Sequence, residues 1–238
     1  MQKIIHRANT RGFADHGWLK SRHTFSFAGY HDPERMNFGA LRVLNDDVVA
    51  QGMGFGTHPH SDMEIVSIPL SGSLAHKDST GNSEIIRTGD VQIMSAGTGI
   101  THSECNPDQT KEVNFLQIWV LPEKRGIAPR YEQKTFDFEA QRNSLVKTVS
   151  WQKDSGALWI NQKAQFWLGV FDAEKEITVE PSAHGAGLYF FLIRGAAEIA
   201  GESLQARDAL GLMDAGKTHV RFTAPAQLLV IEVPEIGG

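Results

Sequence analysis

The chain contains 238 residues, 41% of them hydrophobic and 21% charged, with a formal net charge of −5. No stripe of Lys and Arg supplies the phosphate-neutralising surface that nucleic-acid binding requires. No apolar run is long enough to cross a bilayer, so no membrane association is expected. Cys105 is the only cysteine, which excludes an intrachain disulfide and is typical of a reducing compartment. These properties predict a soluble cytoplasmic protein.

The predicted strands are short apolar runs separated by turn residues. They are rich in Ile, Val, Phe and Leu, a pattern that favours an all-β sandwich or barrel. In chain order the runs cover residues 63–70, 84–87, 91–95, 113–121, 177–179, 188–193 and 228–233. Helical periodicity is scarce, and only a short helix or turn is expected around residues 138–144.

A linker and a weak internal repeat predict two domains. Residues 122–133 (PEKRGIAPRYEQ) combine two prolines, a glycine and several charges, which disfavours a central strand. In each half an apolar run ends at a glycine, Gly72 or Gly195, and is followed by a hairpin, a turn and another apolar run. We therefore predict two related β-barrels in tandem, with domains at 1–133 and 134–238.

Two short motifs carry the chemistry. His58 and His60 are two residues apart, as are His102 and Glu104. Side chains at i and i+2 of a strand share a face, so adjacent strands could direct all four groups to one ion. Imidazole and carboxylate suit Fe, Mn, Co, Ni, Cu or Zn. The alternative for the first pair is two surface histidines beside a proline turn, but the second pair, behind the glycine-rich residues 96–99, favours a metal site.

The second half lacks this set of residues. Counting back from Gly195, as the first histidine pair counts back from its own glycine, leads to Pro181 and Ala183. His184 and His219 remain, but neither belongs to an H-x-H pair. The C-terminal domain is therefore predicted to be a metal-free structural partner.

These motifs resemble those of the cupins, and their departures from the general pattern resemble the pirin family. Gly52, His58, His60 and Glu64 have the order of the first cupin motif, but His102 comes two residues later than the second usually places it. The sequence is similar to bacterial pirin-like proteins over nearly its whole length. The matching segments are residues 23–27, 32–33, 41–47, 54–64, 93–104 and 116–120. The resemblance implies an all-β bicupin of two jelly-roll barrels.

The resemblance also bears on the fourth ligand, for which two carboxylates compete. Strand geometry leaves both open, because Glu64 lies four residues after His60 and would share its face. Ordinary cupins use the glutamate at the position of Glu64, whereas pirins use the one at Glu104. The resemblance thus implies a metal set of His58, His60, His102 and Glu104. Glu64 would then be structural or would orient a ligand imidazole.

The activity implied by the resemblance is that of a quercetin 2,3-dioxygenase, a ring-cleaving oxidoreductase. Its substrates would be O2 and a flavonol or other small phenolic. Its cofactor would be one divalent transition metal ion, with Fe(II) expected and Zn, Mn, Co, Ni or Cu as alternatives. Glu104 would be the catalytic base that removes the flavonol 3-hydroxyl proton. Ring cleavage would then release carbon monoxide and leave a depside ester.

Two other functions remain open at this point. One is a metal-binding, redox-sensing regulator that acts through a protein partner without turnover. The other is a cupin isomerase or lyase that uses its metal only as a Lewis acid. Neither is favoured by a motif of its own in the sequence.

Several further residues receive predicted positions. Phe38, Phe55 and Met94 are candidates for an apolar substrate pocket, although core packing is the competing interpretation for each. Cys105 is expected to be a small buried side chain that points away from the ligands. The pair Asp46-Asp47 is interpreted as a surface turn or an ion pair.

Overall fold

The computed structural model describes residues 2–236, and within them it contains 22 strands, one 3-10 helix (Ala8–Thr10) and no α-helix. The strands of the first half are β1 (Gln2–His6), β2 (Gly12–Asp15), β3 (Leu19–His23), β4 (Leu41–Val49), β5 (Gly54–His60), β6 (Glu64–Ser71), β7 (Ser73–Asp78), β8 (Ser83–Arg87), β9 (Asp90–Ser95), β10 (Ile100–Cys105), β11 (Val113–Val120) and β12 (Arg130–Thr135). Those of the second half are β13 (Val146–Ser150), β14 (Leu158–Trp159), β15 (Gln165–Phe171), β16 (Glu176–Val179), β17 (Gly187–Arg194), β18 (Ala196–Ile199), β19 (Glu202–Gln205), β20 (Ala209–Met213), β21 (Thr218–Phe222) and β22 (Ala226–Val233).

The strands form two barrels, each built from a seven-stranded and a four-stranded sheet. In the first barrel the orders are β12-β9-β6-β11-β4-β3-β2 and β5-β10-β7-β8. In the second they are β1-β20-β17-β22-β15-β13-β14 and β16-β21-β18-β19. The prediction of an all-β bicupin is confirmed. Within the described residues, no helix is long and apolar enough to cross a membrane.

The two barrels repeat one strand order. Strands β4 to β11 of the first barrel are arranged as strands β15 to β22 of the second. Gly72 joins β6 to β7 and Gly195 joins β17 to β18, both with positive φ (76° and 83°). A Cβ at Gly195 would lie 2.1 Å from the carbonyl oxygen of Pro225, so this turn requires glycine.

One edge strand, β1, crosses from the first half of the chain to the second barrel. β1 pairs with β20 of the second barrel, and β12 pairs with β9 at the equivalent edge of the first. The predicted domain boundary between residues 133 and 134 stays a prediction, and it falls inside β12. Around the predicted helix or turn, residues 138–143 form turns.

One apolar core joins the barrels. A continuous cluster of buried side chains includes Phe38, Val66 and Ile118 from the first half and Tyr189 and Ile231 from the second. Strand β6 is buried at seven of its eight residues. Five of its residues are apolar, which fits a strand that is covered on both faces. The large sheets therefore pack on each other, and the four-stranded sheets lie on the outside.

Candidate metal centre and adjoining cavity

Strands β5 and β10 place the two predicted motifs side by side. His102 of β10 is the cross-strand partner of His58 of β5. The register then shifts, so that Glu104 stands opposite Phe55. A Cβ at Gly54 would lie 2.4 Å from the Cα of Cys105, so the strands approach too closely here for any other residue.

The structure brings three imidazoles together. The ring centroids of His58 and His102 are 4.4 Å apart, those of His58 and His60 4.8 Å, and those of His60 and His102 4.9 Å. One ligand atom from each ring lies within 4.8 Å of the others. Three nitrogens at this spacing can surround a single ion.

The protonation of these rings suits ligation, which requires neutral imidazole. Burial, together with the neighbouring imidazoles, lowers the pKa of His102 to about 3, and burial lowers that of His60 to about 4. Nδ1 of His58 lies 2.8 Å from the Gly56 carbonyl oxygen, so it donates there and leaves Nε2 free. Nε2 of His102 is buried without any hydrogen-bond partner. Buried polar atoms are nearly always hydrogen-bonded, so a buried nitrogen without a hydrogen-bond partner fits a ligand of an ion.

Glu104 lies beside this cluster, on the same strand as His102. Its carboxylate accepts hydrogen bonds from Ser67 Oγ (3.3 Å) and Gln117 Nε2 (2.9 Å). Burial, opposed by these hydrogen bonds and reinforced by Asp47, raises the pKa of Glu104 to about 7. Its ligand atom lies within 4.8 Å of those of His102 and His76, which form a second group with it. Glu104 is therefore linked to the three-imidazole group through His102 alone, and the two overlapping groups form a His/Glu cluster that could hold a metal.

Glu64 lies apart from the imidazoles. Its carboxylate accepts hydrogen bonds from Ser95 Oγ (2.8 Å) and from the backbone N–H of Asn161 (3.1 Å). Asn161 belongs to the second half of the chain, so Glu64 helps to join the barrels. Neither of these hydrogen bonds involves a ligand imidazole. They therefore support a structural role for Glu64 rather than the orientation of a ligand.

A cavity of about 640 Å³ opens beside the histidines. His58, His60 and Glu104 form part of its wall. Its aromatic lining consists of Phe13, Phe27, Tyr30, Phe55 and Trp119. Trp119 packs edge-on against His60, with ring centroids 5.0 Å apart, so the aromatic wall begins at the cluster itself.

Of the three predicted pocket residues, only Phe55 lines this cavity. Phe38 packs instead against Tyr189 in the core between the barrels, with ring centroids 5.3 Å apart. Met94 is buried beside Ile65 in a separate small cluster. Both side chains therefore pack in the core, as the competing interpretation proposed.

The acidic pair Asp46-Asp47 lies within β4 rather than in a surface turn. Asp46 forms an ion pair with Arg207 of the second half, at 2.9 Å. Asp47 points to the cavity and is bonded by the hydroxyl of Ser21. Burial raises the pKa of Asp47 to about 7, although the Ser21 hydrogen bond opposes the shift. The ion-pair interpretation thus fits Asp46, whereas Asp47 adds a second carboxyl group to the cavity, a position that the sequence did not predict.

Two more residues of the site were missed, His76 and Asp78 on β7. His76 lies against His102, with ring centroids 5.2 Å apart. Its Nε2 atom forms a hydrogen bond with the carboxylate of Asp78. Their i, i+2 spacing is the same signal that marked the ligand pairs, and it could have found them. Cys105 was expected to be buried, but it is exposed, because alternate residues of β10 face solvent.

Two tandem barrels, with a His/Glu cluster on the inner face of the first, define a bicupin with a candidate metal centre. Comparison with known proteins agrees. Residues 5–120 match the family Pirin, and residues 148–233 match the quercetinase C-terminal cupin domain. The chain belongs to the pirin family.

Individual relatives cover the whole chain. It is 42% identical over 232 residues to the quercetin 2,3-dioxygenase of Escherichia coli K12, covering 98% of this chain and 99% of that protein. The crystal structure of the E. coli bacterial pirin YhhW in complex with nickel(II) superposes with a TM-score of 0.93 at 38% identity, covering 99% and 100% of the two chains. A pirin-like protein of Caulobacter vibrioides is 39% identical over 224 residues, covering 93% and 95%.

Proposed function

We propose that this protein is a metal-dependent dioxygenase that cleaves a flavonol such as quercetin with O2 and releases carbon monoxide. The observation that carries the proposal is the cavity beside the imidazoles. Its volume, about 640 Å³, lies in the range of small-molecule sites. Its aromatic walls suit a flat phenolic, and the name of the E. coli relative indicates the same substrate class.

We propose His58, His60, His102 and Glu104 as the residues that hold the ion, with Fe(II) as the ion. The free nitrogens of His58 and His102 support the imidazole ligands. Nitrogen and oxygen donors of this kind suit Fe, Ni and other divalent transition metals. When bound, such an ion would polarise a phenolic oxygen of the substrate and exchange electrons with dioxygen.

Glu104 is the proposed acceptor of the flavonol 3-hydroxyl proton. Its carboxylate lies in the wall of the cavity that would hold the substrate, beside the imidazoles. Ser67 and Gln117 hold its carboxylate in place through hydrogen bonds. Asp47, in the same wall, offers a second acceptor for a substrate hydroxyl.

The aromatic wall would orient and shield the substrate. Trp119 stands between His60 and Phe27, with ring centroids 5.0 and 5.3 Å away. A flavonol ring stacked in this cavity would exclude water from the neighbourhood of Glu104.

The test is quercetin turnover by the Fe(II)-reconstituted protein. The long-wavelength absorbance of quercetin is followed under air and under nitrogen, and carbon monoxide is assayed in the head space. We expect oxygen-dependent loss of absorbance with release of carbon monoxide. No turnover with any of Fe, Mn, Co, Ni or Cu would refute the proposal and favour a regulator that acts without turnover.

Variants test the assignment of roles. Glu104→Gln should keep some metal but lose most turnover, whereas His60→Ala should lose both. His184→Ala, at an exposed histidine of the second barrel, is the matched control and should change neither. If Glu64→Gln abolishes metal binding and Glu104→Gln does not, the proposed ligand set is wrong.

A further inference from the structure

His102 is connected to a chain of buried polar groups on the side of its Nδ1 atom. Nδ1 of His102 lies 3.4 Å from Nδ1 of His76. Nε2 of His76 lies 3.1 Å from Oδ2 of Asp78. All three side chains are buried. The arrangement follows from strand pairing, since His102 stands opposite Asp78 and Glu104 opposite His76 in the β10–β7 ladder.

The hydrogen-bond donors around Asp78 determine which atom donates and which accepts in each hydrogen bond of this chain of polar groups. Its Oδ1 accepts from the backbone N–H and hydroxyl of Thr80, at 2.9 and 2.8 Å, and its Oδ2 accepts from Asn82 Nδ2 at 2.9 Å. A carboxylate with this many donors acts only as an acceptor. The Nε2 atom of His76 must therefore carry the proton that it donates to Asp78.

Proton accounting then fixes the state of both imidazoles. A neutral imidazole has one N–H, so with Nε2 of His76 protonated its Nδ1 is an acceptor. The 3.4 Å contact consequently requires the proton to sit on Nδ1 of His102. That leaves Nε2 of His102, which is buried and has no hydrogen-bond partner, with a free lone pair.

We propose that His76 and Asp78 are positioning residues that fix the tautomer and orientation of His102, so that its Nε2 atom serves as a metal ligand. This inference rests on the proposed metal centre, but it does not depend on the reaction catalysed there. Hydrogen-bond partners of this kind hold ligand imidazoles in place and make them more basic.

The second barrel provides an internal comparison. Ile199 pairs with Val220 in β18 and β21, as His76 pairs with Glu104 in β7 and β10. Gly201 follows two residues after Ile199, at the position equivalent to Asp78. The barrel without the histidine pair thus also lacks the supporting pair.

A competing role for His76 is as a ligand itself, because its ligand atom groups with those of His102 and Glu104 within 4.8 Å. Both of its nitrogens, however, already have partners within the protein. Ligation by His76 would break one of these hydrogen bonds.

The experiment measures the affinity of the full-length protein for Ni(II) by competition with a chelating indicator. His76→Phe keeps the ring that stacks on Tyr131 but removes both hydrogen bonds. We expect it to bind one ion per chain with affinity lowered by about 10- to 100-fold. His76→Gln can accept from His102 through its oxygen and donate to Asp78 through its nitrogen, so it should restore most of the affinity. Tyr131→Phe is the matched control and should bind as the wild type does.

A second measurement reports on His102 directly. In the paramagnetic Co(II)-loaded protein, the N–H protons of ligand imidazoles give shifted NMR signals that disappear on exchange with D2O. We expect a slowly exchanging signal from the Nδ1–H of His102, and faster exchange or loss of that signal in His76→Phe. A merely structural role for His76 would not move this signal selectively.

Three results would overturn the proposal. These are wild-type affinity in folded His76→Phe, equal losses in His76→Phe and His76→Gln, which would make His76 a ligand, and no Ni(II) binding by the wild type. If His76→Phe does not fold, Asp78→Asn replaces it, and unchanged affinity there overturns the proposal as well. Failure of quercetin turnover with Ni(II) affinity intact would refute only the dioxygenase.

Discussion

The buried carboxyl of Glu64 makes stability depend on pH in a direction that can be calculated. Burial, opposed by hydrogen bonds from Asn161 and Ser95, raises its pKa from 4.5 to about 7. The folded protein therefore binds a proton that the unfolded chain has lost between these pH values. Stability contributed by this group is highest below pH 4.5 and falls as the pH rises towards 7.

The size of the effect follows from the shift in pKa. Since one pKa unit corresponds to about 1.4 kcal/mol, ionising Glu64 in the folded state costs about 3 kcal/mol. For a chain of this length, that free energy corresponds to a change in Tm of roughly 5–10 °C. Glu64→Gln removes the ionisation, so the variant should gain on the wild type by up to this amount as the pH rises.

The assay is the thermal unfolding of the metal-free wild type and Glu64→Gln at pH 5 and at pH 8. The difference in Tm between the two proteins isolates Glu64, because every other titrating group is shared. Glu34→Gln, at an exposed position, is the control and should give the same difference at both pH values. If the Glu64→Gln difference is also the same at both, the carboxyl does not titrate as argued.

Four further variants, at three positions, test the packing and the cavity. Phe38→Ala should lower the free energy of unfolding by about 3–5 kcal/mol, measured by denaturant titration. It should leave the KM for quercetin unchanged, and a raised KM would show that Phe38 contacts the substrate. Gly97→Ala should lower the Tm by several degrees, because φ is +47° and a Cβ would lie 2.0 Å from the Ile127 carbonyl oxygen; an unchanged Tm contradicts this. Trp119→Ala should raise the KM by about 10-fold without loss of bound metal, and Trp119→Phe should raise it less. An unchanged KM in Trp119→Ala would remove the indole from the proposed binding surface.

The fold could be predicted where the pattern is local. The apolar run at residues 63–70 corresponds to β6, and that at 113–121 to β11, because strands covered on both faces contain few polar residues. The pairing of β1 with β20 could not be predicted in this way. It depends on a contact between the two ends of the chain, and nothing in the sequence of either strand specifies the partner.

In the candidate site, too, the local pattern could be predicted and the long-range packing could not. The meeting of His58, His60 and His102 could be predicted because alternation along a strand fixes the face on which a side chain lies. Alternation does not reveal what covers that face. Phe55 faces the cavity and Phe38 faces the other barrel, yet both are phenylalanines among small neighbours in the sequence. Only the three-dimensional packing separates them.

The crossing edge strand β1 makes the second half of the molecule dependent on the first. Residues 134–238 alone would lack β1, and the backbone N–H and C=O groups of β20 that β1 covers would be left open. An uncovered strand edge recruits other chains, and the fragment also exposes its part of the apolar core that it shares with the first barrel, so it should self-associate. The same β1 peptide, Gln2–His6, added in trans would compete for that edge and reduce the association. In the intact chain this short strand covers the open edge of the second barrel.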